Sequence, residues 1–222
     1  MHHLVWMSIK KLINSLKILT QHCWICSFPT FCNYELCHFC QKHVYARPFF
    51  FNDEIDLKGY CLWEWSKTKN HWCKDVIYKL KRKKILEIHE FLAQLFLKQE
   101  ILYLRSQRNN LSVILIPSPC TPNTKTDHAR SMAMAISEMT GWPILDVLQK
   151  GSQINQKAKS RKERLNIKVN LSHQFKMDPQ KTYIFIDDVI TTGSTARACW
   201  ETLGRPPKFE VRALIYRSSS CL

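Results

Sequence analysis

The chain has 222 residues, 45% of them hydrophobic, enough to bury one substantial core plus a small appendage and too many for a disordered polymer. Its 33 Lys and Arg outweigh 18 Asp and Glu, and the resulting formal net charge of +15 favours polyanions: nucleic acid, an anionic membrane surface or a diphosphate. No apolar run is long enough to cross a bilayer and the opening residues lack the order of a secretory signal, so the composition predicts a cytoplasmic protein without stable membrane insertion.

In chain order, Ile9, Leu12, Ile13, Leu16 and Leu19 recur at helical spacing while Lys10, Lys11 and Lys17 point elsewhere, which predicts a short basic amphipathic helix. Its simplest use is to pack on its own domain; docking on a membrane is the alternative. Two hairpin-like pairs follow, Cys23-x-x-Cys26 and Cys37-x-x-Cys40. Four thiolates in two such pairs suit a closed tetrahedral zinc site with a structural role, the metal standing in for a core that so short a segment cannot build. A redox Cys-x-x-Cys is the competing reading, but no thioredoxin-like strand and helix surround a single pair. Cys32 lies between the pairs as a rival ligand, and Cys61, Cys73, Cys120, Cys199 and Cys221 read as ordinary thiols.

Cysteine density ends near residues 41–50, where Arg47-Pro48 offers a hinge, so the chain divides into a module at 1–45 and a main domain at 46–222. Aromatic and apolar runs between Lys42 and Trp65 predict a hairpin, and helices are predicted over Lys69 to Leu80 and Leu86 to Arg105. Between them Lys79, Lys81, Arg82, Lys83 and Lys84 put five bases in six positions, either a solvated helix face or a surface for diphosphate or single-stranded DNA. Strands near 112–116, 143–148, 182–187 and 209–215, with helices near 128–140 and 195–203, give the alternation of an α/β parallel sheet. After the first of these strands, Lys125, His128 and Arg130 could neutralise phosphate oxygens or simply be solvated. Lys157 to Arg164 adds a further basic stripe.

The richest stretch is Tyr183-Ile-Phe-Ile-Asp187-Asp188-Val-Ile-Thr191-Thr192-Gly193-Ser194-Thr195. An apolar run of this kind fits a strand covered on both faces, and ligands gather at the carboxyl ends of such strands. Two acceptor-only carboxylates there suit the hydroxyls of a ribose diol. The following hydroxyl-rich turn, with Gly193 permitting close backbone approach and a helix opening at about Thr195, suits a phosphate. A Walker B strand ends in acids too, but no G-x-x-x-x-G-K loop accompanies this one.

The segment resembles the 5-phosphoribosyl-1-diphosphate (PRPP) signature of type I phosphoribosyltransferases. That resemblance implies a parallel sheet flanked by helices, with Asp187 and Asp188 holding the ribose 2′ and 3′ hydroxyls and assisting any reaction at the anomeric carbon. It further implies that Thr191, Thr192, Gly193, Ser194 and Thr195 wrap the 5′-phosphate, with magnesium on the diphosphate. A four-cysteine, zinc-ribbon-like module ahead of such a domain is similar to the ComF (ComFC/GntX-like) family, linked to DNA uptake in competent bacteria. Further landmarks are Val113-Ile-Leu-Ile-Pro117 and Gln156-x-x-x-Ser160-Arg-Lys-Glu163-Arg164; where the family carries Arg-Gly-Phe-Asn-Gln this chain has Asp127-His-Ala-Arg-Ser131. The resemblance implies a protein that binds PRPP and handles single-stranded DNA during natural transformation beside a helicase or recombination mediator. A glycosyltransferase that moves the phosphoribosyl group to a nucleobase or amine is the alternative.

Overall fold

A computed structural model describes residues 21–23, 26, 29–30, 37–38, 40, 49–50, 57–65, 72–82, 86–104, 112–120, 127–151 and 167–217. The predicted N-terminal helix, Cys32, Lys83, Lys84, Lys125 and the basic stripe at 157–164 lie outside these residues. Two short antiparallel strands, β1 (Gln21–His22) and β2 (Pro29–Thr30), accompany the first cysteine pair. The main sheet begins with β3 (Phe49–Phe50) and β4 (Gly59–Trp65), joined antiparallel as the predicted hairpin. Helices α1 (Cys73–Arg82) and α2 (Leu86–Leu104) follow, then β5 (Val113–Pro117), α3 (His128–Thr140), β6 (Leu148–Lys150), β7 (Val169–Leu171), β8 (Thr182–Ile190), α4 (Ser194–Thr202) and β9 (Phe209–Arg217).

The sheet runs in the order β3-β4-β9-β8-β5, and every pairing after the first hairpin is parallel. This is the parallel sheet with flanking helices expected from the sequence, with a four-cysteine cluster ahead of it. β8 sits between β9 and β5, which is why Tyr183 to Ile186 are apolar on both faces and buried throughout. Ile184 and Ile186 face one core with α1, α2 and α3; Tyr183 and Phe185 face a second core with α4 and the β6–β7 hairpin.

Two departures from the expected pattern shape the molecule. The strand expected near 143–148 is reduced to one parallel bridge, Ile144 to Leu115, after which β6 pairs antiparallel with β7 in a separate ribbon. Only Leu115 N–H to Pro143 O and Leu145 N–H to Leu115 O hold that bridge, and Asp146 then turns to Arg130. The other departure is β4, which crosses from its hairpin to lie parallel to β9, so residues far apart in sequence are neighbours.

A discontinuity crosses three strands at one level. The β4–β9 register passes from Cys61↔Ala213 to Trp63↔Ile215, and the β8–β9 register from Asp187↔Ala213 to Val189↔Ile215, omitting the row of Leu62, Leu214 and Asp188. Beyond that row the alternation of faces inverts: Leu62 and Trp63 both join the first core, as do Leu214 and Ile215, and Val189 packs against it. The chain thereby changes phase at the acid pair of β8.

Candidate sugar-phosphate site and cysteine cluster

At the discontinuity the carboxylates replace parts of the ladder. Asp187 Oδ1 accepts the Asp188 N–H at 2.9 Å, and Asp188 Oδ1 accepts the Val189 N–H at 2.8 Å. Each acid thus accepts the N–H of the residue that follows it, three and two residues before β8 ends at Ile190. Both acids line a recess with Leu80, His89, His128, Ala129, Met132 and Leu214. Burial first, then the neighbouring Asp188 charge, pushes the Asp187 carboxyl up to about 8, while the Asp188 N–H and Lys150 pull the other way. Lys150 and Asp187 also bear on Cys199 of α4, whose thiol is raised chiefly by burial.

The turn after β8 is shaped by a glycine and by its own hydroxyls. Gly193 adopts φ 68°, the left-handed conformation that carries little penalty only in glycine, and caps α4 without a side chain. Thr191 and Thr192 are exposed, and the Thr192 and Ser194 hydroxyls share a hydrogen bond of 2.6 Å. Ser194 N–H also reaches Thr192 Oγ1 at 3.4 Å, while Ser194 and Thr195 form the first turn of α4, half-buried. The opening N–H groups of a helix and its dipole attract an anion to this place.

The other expected contacts fall on α3 and α1. Arg130, in the first turn of α3, pairs its Nη1 with Asp146 Oδ2 at 3.2 Å and is not among the residues lining the recess. Lys79, Lys81 and Arg82 fall on α1, whose basic side chains there lie outside the described set. His89 carries no sequence signal, since it sits in the helical spacing of α2; only the packing of α2 on α3 brings it to the recess.

The four cysteines converge as predicted. The Sγ atoms of Cys23, Cys26, Cys37 and Cys40 all lie within 4.8 Å of one another, and those of Cys26 and Cys37 are 3.7 Å apart. Four thiolates at about 2.3 Å from one tetrahedral ion stand about 3.8 Å from each other, so the donor set fits a metal ion. Cys40 N–H points at Cys37 Sγ at 3.4 Å, a bond that steadies a thiolate. Burial and the neighbouring cysteine sulfurs raise the Cys40 thiol far above its ordinary range, the crowding that a cation would relieve. Cys23 and Cys40 are buried in the first core with Leu62, Trp63 and Cys73, so the cluster is continuous with the main domain's interior.

No family model and no curated protein matches the sequence. Solved structures do, 33 chains in all. A hypoxanthine phosphoribosyl transferase of Trypanosoma cruzi matches at 9% identity and a TM-score of 0.35, over 60% of this chain and 64% of that one. The alanine mutant from a study of an invariant aspartic acid in HPRTs matches at 11% identity and 0.35, over 60% and 66%. An allosteric regulatory enzyme of purine biosynthesis matches at 18% identity and 0.31, over 63% of this chain and 26% of its own. In each case the match spans less than two thirds of the solved chain.

Proposed function

We propose that the carboxyl end of β8 binds PRPP, with Asp187 and Asp188 on the ribose hydroxyls and Thr191 to Thr195 around the 5′-phosphate. One observation carries this reading: a central strand that bears two adjacent carboxylates, each bound to the next backbone N–H, and that after Ile190 turns, through Gly193 at φ 68°, into a helix N-terminus. Carboxylate and hydroxyl oxygens are also the donors that magnesium accepts, and magnesium would neutralise the diphosphate there. In a transferase the two acids would hold the ribose as it becomes oxocarbenium-like and diphosphate departs. Lys125 belongs to the same proposal, on the segment after β5.

The test is calorimetric titration of magnesium-PRPP into the protein and into the Asp187→Asn, Asp188→Asn double variant. Saturable binding that weakens at least about tenfold in the variant, about 1.4 kcal/mol, is expected. Equal binding by both proteins would move the sugar-phosphate site elsewhere, and no binding by either would end the reading.

Beyond ligand binding we infer a ComF-like role, a zinc-stapled protein that handles single-stranded DNA in transformation beside a helicase or recombination mediator. The net charge of +15 and the cysteine cluster ahead of the strand-end site support it. Lys79, Lys81, Arg82, Lys83 and Lys84 are the proposed strand contacts. A labelled oligothymidylate should bind with log affinity falling linearly as log salt rises. Diphosphate release that appears only when a nucleobase or amine is supplied would favour the transferase instead.

A further inference from the structure

The four sulfurs of the cysteine cluster do not share one environment. Cys23 and Cys40 are 1% and 4% exposed and belong to the first core. Cys26 is exposed and Cys37 is half-buried. The cluster thus has an inner pair and an outer pair, and each pair takes one cysteine from each Cys-x-x-Cys motif. The outer sulfurs stand 3.7 Å apart, so a disulfide, about 2.05 Å long, needs them to close by less than about 2 Å.

Ligation leaves such sulfurs reactive. Zinc itself has no redox chemistry, a thiolate it holds is still a nucleophile, and oxidation follows thiolate character and access to solvent. Access therefore sorts the four. A dissolved oxidant meets Cys26 first, while the inner pair is buried in the first core with Leu62, Trp63 and Cys73. Cys37 Sγ accepts the Cys40 N–H at 3.4 Å, a bond that stabilises negative charge on the sulfur and makes it the slower of the outer two to attack.

We propose that Cys26 and Cys37 form an oxidation site, at which a peroxide joins the two motifs through a disulfide and expels the bound zinc. This rests on the structural-zinc reading given above. The Cys26 thiolate attacks one peroxide oxygen, the O–O bond breaks, and hydroxide leaves with a sulfenic acid on Cys26. The Cys37 thiolate then attacks that sulfur and displaces a second hydroxide as the S–S bond forms. The two sulfurs together give up two electrons, the peroxide takes them, and the hydroxides become water. Zinc is left with the thiolates of Cys23 and Cys40, half of a closed shell, and departs. A reductant that returns the two electrons, with fresh zinc, restores the cluster. The disulfide runs between the motifs, unlike that of a thioredoxin-like pair, which closes within one. Its effect reaches inward, because Leu80, Met132 and Leu214 share the first core with Cys23 and Cys40 and line the recess at the acid pair.

The experiment exposes the full, zinc-loaded chain to graded hydrogen peroxide, follows zinc with a chromogenic chelator, and maps disulfides by mass spectrometry after the remaining thiols are blocked. Zinc and a cross-link between Cys26 and Cys37 should appear together, about one ion per disulfide, and a phosphine reductant with added zinc should reverse both. Cys26→His and Cys37→His keep a four-ligand shell of three thiolates and one imidazole, and should release zinc at least about tenfold more slowly. Cys120→Ser, which removes an exposed thiol on the segment after β5, should change neither readout. Cross-links within one motif or to Cys120, zinc loss without a cross-link, or zinc retained beside it would each overturn the proposal. So would release from Cys26→His at the rate of the unaltered chain. If neither histidine variant holds zinc, the cross-link mapped in the unaltered chain decides alone. An untreated chain that takes up no zinc removes the structural-zinc assignment and this proposal together.

Discussion

Asp187 is the residue whose environment has the widest consequences. Its carboxyl is raised to about 8 by burial and by Asp188, against about 3.9 in an unfolded chain. Between about pH 4 and 8 the unfolded chain releases a proton that the native chain keeps, so this residue makes stability fall as pH rises through that window. Asp187→Asn should therefore flatten the slope and raise the thermal midpoint near pH 8, by about 2–4 °C for each kcal/mol recovered. Calorimetric melts from about pH 5 to 8.5 check it, and an unchanged slope would refute the assignment. The same proton bears on ligand binding. The ionised carboxylate is the stronger acceptor for ribose hydroxyls, so PRPP binding near pH 7 should release protons and tighten as pH rises. Titrations in buffers of different ionisation enthalpy read the release directly; identical heats would mean that Asp187 is already charged or not in contact.

Among the elements, the turn into α4 was legible because its logic is local: an apolar run, two acids, hydroxyls and a glycine need nothing distant to be understood. Gly193 and Gly141 form a matched pair for testing it, since both sit in the left-handed region, at φ 68° and 72°. Alanine at either position should cost about 1 kcal/mol of stability. Only Gly193→Ala should weaken PRPP binding, because Gly141 merely closes α3, where an added Cβ meets nothing within 4 Å. Equal ligand affinities in the two variants would separate the turn from the phosphate. What the sequence left hidden at this scale depends on pairing across strands. The phase change at Leu62, Asp188 and Leu214 leaves no mark in any one strand's alternation, and strict alternation would misassign Trp63 and Ile215 to the opposite face. His89 was invisible for the same reason, since its surroundings come from α3 and β8.

For the molecule as a whole, the cysteine cluster and the sheet share one interior. Cys23 and Cys40 lie in the core that also contains Trp63, whose ring meets Trp72 edge-on at 5.0 Å. Zinc removal should therefore be felt beyond the N-terminal segment. Replacing Cys37 and Cys40 by serine, or adding a strong chelator, is expected to release one zinc per chain and lower the melting temperature. It should also shift the tryptophan emission to the red as that core loosens. Retention of metal and of stability in the double variant would refute the structural assignment. Four closely spaced cysteines declared the cluster in the sequence; its burial against α1 and β4 did not, because Leu62, Trp63 and Val76 read as generic core residues.

The parallel pairing of β4 with β9 has a consequence in time. Translation delivers Gly59–Trp65 early and Phe209–Arg217 only after every other described element has been made. Until then a newly made chain carries a strand of Tyr60, Leu62 and Trp63 with its β9 edge open, and closing so distant a contact is entropically slow. During that interval the nascent protein is most exposed to wrong partners, and ribosome-bound chaperones would find their clearest target there.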